Sequence, residues 1–376
     1  MSVFRDAIVP VVFSLLWGCG AGKDILLGDR PSLDAALQPE GSAPDGSTES
    51  DGASPDATLV EGGGDANPCA TGEAVPATAL TLLSQRLGFG RLASGGSRGC
   101  VYHVTTLADA GAGSLREGAE RTEPLWIVFD VSGDIELSSK ILLGPNKTLD
   151  GRGAAITIRN FGITVGAGIS NVVIENLTFV GNMQGSDNDA IQIADGAHTV
   201  WVDHCSLSNY RDGLVDITHA ATDVTVSWCL FSMHDLVMLI GRSPSDVDDA
   251  NIRVTVHHNW WNQTGSYAPR LRFGKAHVLN NLIDQWRSAA SASTMGGEIY
   301  SEGNVFVAKD DKVALATSAG TDSVLGRAKS IGDWLQNGAI VQQSEPVFEP
   351  TAHYSYMPAR ADPALQAEIM AGAGAH

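Results

Sequence analysis

The sequence predicts an all-β protein that folds as a single-stranded parallel β-helix, and three observations support this. Six short β-rich segments align in one register, at Leu177, Cys205, Cys229, Asn259, Asn281 and Asn304. Successive copies lie 22 to 30 residues apart, which is typical of a solenoid. The stretches between copies show neither helical periodicity nor the Asn-Gly turns of hairpins, so stacked coils explain the pattern better than a many-stranded β-sandwich.

Stacking predicts which residues form columns. One coil lies about 4.8 Å above the next, so residues in one register line up along the stack. Two residues after each aligned position comes an apolar side chain, at Phe179, Leu207, Phe231, Trp261, Ile283 and Phe306. We therefore expect an apolar column inside the helix and a column of turn asparagines whose amides form a ladder.

The N-terminal residues 1–19 are expected to be a signal peptide. An apolar run from Ala7 to Trp17 follows Arg5 and is too short to span a bilayer. Cys19 follows Gly18, and LWGC is similar to the signal of bacterial lipoproteins, in which the cysteine carries the lipid. The alternatives are a secreted protein without an anchor and a buried N-terminal segment.

Residues 20–68 are expected to be a disordered acidic linker. They are rich in Gly, Asp, Ser, Pro and Ala, a composition that buries too little apolar surface to fold. The β-helix domain is then 69–376. The whole chain has a formal net charge of −19 and a pI near 4.7, which argues against a nucleic-acid partner.

Four cysteines remain beyond the proposed lipid anchor. An exported protein can form disulfides, and we expect Cys69 to pair with Cys100 and Cys205 with Cys229. The sequence permits three connectivities. Because Cys205 and Cys229 belong to one column, a reduced pair in the core is an equally good interpretation of those two.

Four aspartates indicate a cation site. Asp187 and Asp189 lie in GSDNDAIQI, and Asp212 and Asp216 lie in RDGLVDI. Both spacings are even, so each pair faces one side of an extended chain. The two segments are about one coil apart, and the converging carboxylates would repel unless a hard divalent cation such as Ca²⁺ bound them. The alternative is that these aspartates form turns.

Arg270 and Arg272 lie two coils further along and also face one side of a strand. Guanidinium groups bind carboxylates with bidentate geometry. A groove with Ca²⁺ at one end and arginines at the other suits a polyanion that carries carboxylates. Ion pairing within an acidic protein surface is the alternative.

The chain resembles the pectate lyases of polysaccharide lyase family 1 from about residue 86 to about residue 310. The motifs occur in the family's order: GFGRLASGG, GAGSLRE, IVFDVSGDIEL, KTLDGRG, DNDAIQI, VWVDHCSLS, DGLVDI, VTVSWCLFSMHD and PRLRFGKAHVLNN. The resemblance implies a right-handed parallel β-helix that cleaves α-1,4-polygalacturonate by Ca²⁺-dependent β-elimination.

The resemblance also implies roles for individual residues. It places the Ca²⁺ ligands at Asp187, Asp189, Asp212 and Asp216, and a substrate-binding arginine at Arg272. The reaction removes the proton at C5 of the uronate and expels the oxygen on C4. Cations would neutralise the uronate carboxylate and stabilise the negative charge that develops.

Two positions depart from the family's pattern. Tyr267 occupies the position of the arginine base, and Leu236 follows His234-Asp235 where the family has a substrate-contacting lysine. Three hypotheses follow: Tyr267 is the base, since tyrosine can act as a general base; Arg270 or Arg242 serves instead, with Arg270 also a candidate to bind substrate; or the protein binds polyuronate without turnover.

The expected protein is therefore an extracellular or cell-envelope lyase that meets the membrane only through its lipid anchor. We expect a monomer whose partner is polygalacturonate. A β-helix with a purely structural role is disfavoured by the four aspartates and Arg272.

Overall fold

The computed structural model describes residues 72–183, 185, 188–310 and 312–376. The proposed signal peptide, the linker, Cys69 and Asp187 lie outside these residues. Within them, three parallel sheets wind into a β-helix of about ten coils. The described helices include none that is both long and apolar enough to cross a membrane.

Each sheet takes one strand from each successive coil. Sheet 1 contains β1 (Cys100–Val104), β2 (Leu125–Phe129), β5 (Lys147–Asp150), β8 (Ser170–Glu175), β11 (His198–Asp203), β14 (Thr222–Ser227), β17 (Arg253–His257), β20 (Lys275–Leu279), β23 (Glu298–Glu302) and β26 (Arg327–Ile331). Sheet 2 contains β3 (Gly133–Glu136), β6 (Ile156–Asn160), β9 (Thr178–Gly181), β12 (Ser206–Ser208), β15 (Leu230–Ser232), β18 (Trp260–Asn262), β21 (Leu282–Asp284), β24 (Val305–Val307) and β27 (Trp334–Gln336). Sheet 3 contains β4 (Ile141–Leu142), β7 (Ile163–Val165), β10 (Ile191–Ile193), β13 (Val215–Ile217), β16 (Met238–Ile240), β19 (Arg270–Arg272), β22 (Ala289–Thr294), β25 (Val313–Ala316) and β28 (Ile340–Val341).

The strand register confirms the predicted columns. Sheet 2 aligns Phe179, Leu207, Phe231, Trp261, Ile283 and Phe306, one in each coil, and all six are buried. The rings of Phe231 and Trp261 stack with centroids 4.9 Å apart. Coil-to-coil stacking of like apolar residues therefore builds one continuous core along the axis.

The predicted asparagine ladder is also present. The Asn259 amide donates to Asn281 Oδ1 at 3.0 Å, and the Asn281 amide donates to Asn304 Oδ1 at 2.9 Å. Asn304 donates in turn to Asp333. Each carboxamide also bonds the backbone of a neighbouring coil, so the ladder satisfies the polar groups of buried turns.

Short helices pack outside the coils. The described residues contain α1 (Ala77–Leu80), α2 (Leu115–Ala119) and α3 (Pro363–Gly372), with 3₁₀ turns at Thr81–Gln85, Phe89–Leu92, Val247–Asn251 and Pro350–Ala352. Helix α3 buries Leu365 and Ile369 against Leu282 and Val305 of sheet 2. The C-terminal helix therefore packs back on the stack.

The predicted disulfide between Cys205 and Cys229 is wrong, because both thiols are free and buried. Each thiol hydrogen-bonds a carbonyl two residues earlier, Cys205 to Asp203 at 3.3 Å and Cys229 to Ser227 at 3.2 Å. In-register parallel strands hold the two Cβ atoms about 4.8 Å apart on parallel vectors, whereas a disulfide brings them to about 3.8 Å. Cys100 is disulfide-bonded.

Candidate active site on sheet 3

One outward-facing column of sheet 3 carries the candidate site. It aligns Gln192, Asp216, Leu239, Arg270, Ala292 and Ala316, one in each successive coil. The alternate residues Ile191, Val215 and Ile217 point inward and are buried. Asp216 and Arg270 thus share one face of sheet 3 and lie two coils apart, or roughly 10 Å along the axis.

The structure brings Asp189, Asp212 and Asp216 to one groove of about 500 Å³, which also contacts Gln192, His219 and Arg242. Asp189 Oδ1 accepts a hydrogen bond from the Gly213 backbone N–H at 2.6 Å. Asp216 folds over the same glycine, and a Cβ on Gly213 would lie 2.1 Å from Asp216 Oδ1. A side chain at position 213 would therefore displace the Asp216 carboxylate.

These residues fit a hard divalent cation. The donors are carboxylate oxygens from two neighbouring coils, with the Gln192 side chain beside them, which is the oxygen-rich chemistry that Ca²⁺ prefers. All three aspartates line one groove. Asp189, Asp212 and Asp216 are therefore the described residues that could hold Ca²⁺.

Another acidic cluster lies on sheet 1 and has a different character. Among the described residues, Glu175, Asp203 and His204 bring potential metal-ligating atoms within 4.8 Å of one another. Burial raises the pKa of Glu175, and the adjacent Asp203 carboxylate raises it further. Glu175 therefore holds a proton at neutral pH, which makes it a poor ligand, whereas Asp203 already accepts hydrogen bonds from His204 and Ser227.

The two arginines converge on a carboxylate of the protein itself. Asp322 Oδ2 accepts from Arg270 Nη2 at 2.9 Å, from Arg272 Nε at 2.8 Å and from Thr294 Oγ1 at 2.7 Å. Burial of Asp322 acts to raise its pKa, but the hydrogen bonds from Thr294, Arg272 and Arg270 outweigh burial and hold the pKa below its usual range. Asp322 is therefore the anion that these guanidiniums neutralise.

Arg270 lies behind Tyr267. Arg270 is only 7% exposed, and its Nη1 donates to the Tyr267 hydroxyl at 2.6 Å. Arg272 bonds the carbonyl oxygens of Gly241 and Arg242 through Nη1. Tyr267 and Arg270 both line a second hollow of about 540 Å³ with Leu236, and Tyr267 is the more exposed of the two.

His234 and Asp235, which precede Leu236, make contacts within the protein that hold neighbouring loops in place. His234 Nε2 hydrogen-bonds the backbone carbonyl of Asp212, and burial lowers the pKa of His234, so the neutral ring donates this bond. Asp235 pairs with Arg287. His234 thereby fixes the backbone that presents a candidate cation ligand.

Sequence reasoning missed Asp322 and the role of His234. Asp322 lies 50 residues from Arg272 in the chain, on a segment outside the repeat. No spacing or motif in the sequence marks it as a partner of the arginines. His234 lies in a recognised motif, but its contact with Asp212 joins loops of two coils and becomes visible only in the fold.

Comparisons with known proteins point to one family. The family model "Pectate lyase" matches residues 130–376. Pectate lyase 1 from Ambrosia artemisiifolia is 35% identical over 304 residues, which is 72% of this chain and 75% of that protein.

Solved structures agree in fold. The crystal structure of jun a 1, the major allergen from cedar pollen, matches with a TM-score of 0.72 and 29% identity over 79% of this chain and 94% of that one. A pectate lyase from Bacillus sp. N165 in complex with trigalacturonate matches with a TM-score of 0.62 and 22% identity, over 77% of this chain and 98% of that one. Because the family model covers well over half of its length and a relative is 35% identical over 72% of it, this chain belongs to the pectate lyase family of polysaccharide lyases.

Proposed function

We propose that the protein is a Ca²⁺-dependent pectate lyase that cleaves α-1,4-polygalacturonate by β-elimination. The observation that supports the proposal is the outward column of sheet 3, in which Asp216 lies two coils from Arg270, the hydrogen-bond partner of Tyr267. Family membership supports the reaction class, and a relative of the same fold binds trigalacturonate. Export of the protein to the cell envelope or medium, as expected from residues 1–19, suits a polymeric substrate.

In this proposal Asp187, Asp189, Asp212 and Asp216 hold the ion. Ca²⁺ when bound supplies positive charge that neutralises uronate carboxylates and lets an anionic polymer approach an acidic protein. Asp189 and Asp216 are oriented for this by the backbone N–H groups of Gly213 and Leu239. Both side chains line the groove.

Tyr267 is the proposed base. Its oxygen lies at the groove wall, where it accepts a hydrogen bond from Arg270, and a guanidinium at 2.6 Å stabilises negative charge on that oxygen. The Tyr267 oxygen takes the C5 proton, the released electron pair forms the C4–C5 double bond, and the bond from C4 to the leaving oxygen breaks. The leaving oxygen that was bonded to C4 then takes a proton from water.

The assay is absorbance of the unsaturated uronide product from polygalacturonate, with Ca²⁺ and then with chelator. Product should form with Ca²⁺ and vanish on chelation. Tyr267→Phe removes the base and should lower kcat by about 10²-fold or more. Tyr356→Phe is the matched control, because its hydroxyl bonds Glu302 on sheet 1, and should keep full activity.

A second candidate function is binding of polyuronate without turnover. It is favoured by the replacement of two expected cations with Tyr267 and Leu236 and by the engagement of both arginines with Asp322. No product at any pH, together with Ca²⁺-dependent retention on immobilised polygalacturonate, would select this function. Full activity of Tyr267→Phe would instead retain the lyase and reject Tyr267 as its base.

A further inference from the structure

The two halves of the groove on sheet 3 differ sharply in charge. The half around Asp216 also contains Asp189, Asp212 and Arg242. The half beyond Arg270 is lined by uncharged side chains among the described residues, apart from Arg270 itself: Leu236, Ser266, Tyr267, Ser288, Ala289, Ala292, Val313, Ala316, Ser318, Ala319, Gly320 and Gln342. Because Ala292 and Ala316 continue the column of Asp216 and Arg270, one polymer chain can lie across both halves.

The neutral half offers little to a free carboxylate. Arg270 is buried, and its Nη atoms donate hydrogen bonds to the Tyr267 hydroxyl, the Asp322 carboxylate and the Ala319 carbonyl. Arg272 gives its Nε to the same Asp322. The charge of Asp322 thus offsets the guanidinium charge within the protein, and an anionic group placed over Leu236 and Ala292 would lose hydration without gaining a free counter-ion.

A neutral derivative of the carboxylate fits this surface. The alanine side chains leave a floor of small apolar groups, and Leu236 is 47% exposed at the wall. A methyl ester carries no charge, and burial of its methyl group away from water is favourable. The Ser266 and Ser288 hydroxyls lie at the same wall and hydrogen-bond each other, which leaves one of their two protons to donate to an ester carbonyl.

The chemistry of elimination also favours an esterified sugar at this position. Removal of a proton next to a carboxylate places a second negative charge on an anion, so cations must neutralise it. Removal of the same proton next to an ester places the first charge on a neutral group. Loss of the cations at positions 236 and 267 is therefore tolerable when the reacting uronate is esterified.

We propose that the sugar that reacts beside Tyr267 is a methyl-esterified galacturonate, and that the aspartate half binds a free galacturonate of the same chain. The substrate is then partially methyl-esterified polygalacturonate. This inference rests on the proposed lyase function and defines its substrate class. The electron flow is that given for Tyr267 above, with the methyl ester retained in the unsaturated product.

The experiment compares initial rates with Ca²⁺ on three polymers: unesterified polygalacturonate, a preparation with about half of its carboxylates methylated, and a fully methylated one. The half-methylated polymer should be cleaved several-fold faster than either of the others. Leu236→Lys places a cation in the neutral half and should shift the ratio of half-methylated to unesterified rates by roughly tenfold toward the unesterified polymer, the equivalent of about 1.4 kcal/mol.

Leu92→Lys is the matched control, since Leu92 is an exposed leucine in a 3₁₀ turn that packs on sheet 1 rather than sheet 3. It should leave the ratio unchanged. Asp322→Asn, which frees the guanidiniums, should shift the ratio in the same direction as Leu236→Lys.

The inference would be overturned if the unesterified polymer were cleaved fastest and Leu236→Lys did not change the ratio of half-methylated to unesterified rates. The lyase function would still stand. If none of the polymers is cleaved, the lyase function fails. Affinities for the same three polymers then decide the inference separately: tightest binding of the half-methylated polymer supports it, and tightest binding of the unesterified one rejects it.

Discussion

Glu175 and Asp203 show how burial and a neighbouring carboxyl group change the pKa of a single residue, Glu175. They lie in register on β8 and β11 and are both buried. Burial raises the pKa of Glu175, and the Asp203 carboxylate raises it further. The folded protein therefore keeps a proton on Glu175 at a pH where the unfolded chain has released it.

This pair predicts a pH-dependent effect of Glu175→Gln. Above the unfolded pKa near 4.5, the unfolded wild-type chain gains by ionising, so its free energy of unfolding falls by up to about 1.4 kcal/mol per pH unit from this group. The Glu175→Gln variant has no ionisable group at this position, so its free energy of unfolding does not fall with pH for this reason. Thermal unfolding should show the variant a few degrees more stable than wild type at pH 8 and similar to it near pH 4.5.

Glu136→Gln is the control, because Glu136 is an exposed side chain on β3. Its difference from wild type should stay within about 0.5 kcal/mol at both pH values. A Glu175→Gln difference that is the same at pH 4.5 and pH 8 would contradict a raised pKa for Glu175.

The asparagine ladder acts at the scale of the coil. Asn281 is fully buried, its Oδ1 accepts from the backbone and side chain of Asn259, and its amide donates to Val256 and Asn304. Asn281→Ala leaves the Asn259 backbone N–H in a dry turn without its acceptor, whereas the Asn259 amide keeps the carbonyls of Val226 and His257. An unsatisfied buried polar group costs about 1–3 kcal/mol.

We therefore expect Asn281→Ala to lower the free energy of unfolding by about 3 kcal/mol in chemical denaturation. Asn251→Ala is the matched control, because Asn251 is exposed and makes one side-chain bond, to the Asp248 carbonyl at 3.3 Å, and should cost less than about 0.5 kcal/mol. Equal losses in the two variants would show that the ladder adds nothing beyond the turns.

The elements that repeat were the ones that sequence could predict. Alternation of apolar residues fixed the register of Phe231 and Trp261, because a slip of one residue would turn every inward side chain outward. Helix α2 was not predicted, since Leu115–Ala119 is a single five-residue segment. Its position depends on the first coil against which it packs, with Gly118 against the Tyr102 ring.

The whole molecule carries a formal net charge of −19, and its proposed substrate is also an anion. Long-range repulsion should slow their association at low ionic strength, where the Debye length is about 30 Å, and should fade at physiological salt, where it is about 8 Å. The local cations at the site act at short range and are screened less.

At fixed free Ca²⁺, kcat/KM for unesterified polygalacturonate should rise several-fold as NaCl increases from about 10 mM to about 150 mM. Fully methylated polymer is uncharged and is the control, whose cleavage or binding should vary little with salt. A fall in kcat/KM with added salt would mean that cations at the site, rather than the net charge of the protein, control the encounter.

The sequence by itself determined the stack and its faces. A repeat of 22 to 30 residues with fixed apolar and asparagine positions leaves parallel coils as the economical way to bury the apolar column. The alternation of side chains along a strand then sets Asp216 and Arg270 on the outward face of one sheet. Family motifs added the reaction class.

Tertiary structure alone decided what those side chains touch. Asp322 reaches Arg270 and Arg272 from a loop several coils of chain away, and nothing in the repeat encodes where an inserted loop will place a carboxylate. Cys205 and Cys229 share a column as predicted, yet parallel stacking keeps their sulfurs apart. The repeat determines which residues align from coil to coil. The contacts that loops make, and the directions in which side chains point, depend on how the coils and loops pack in three dimensions.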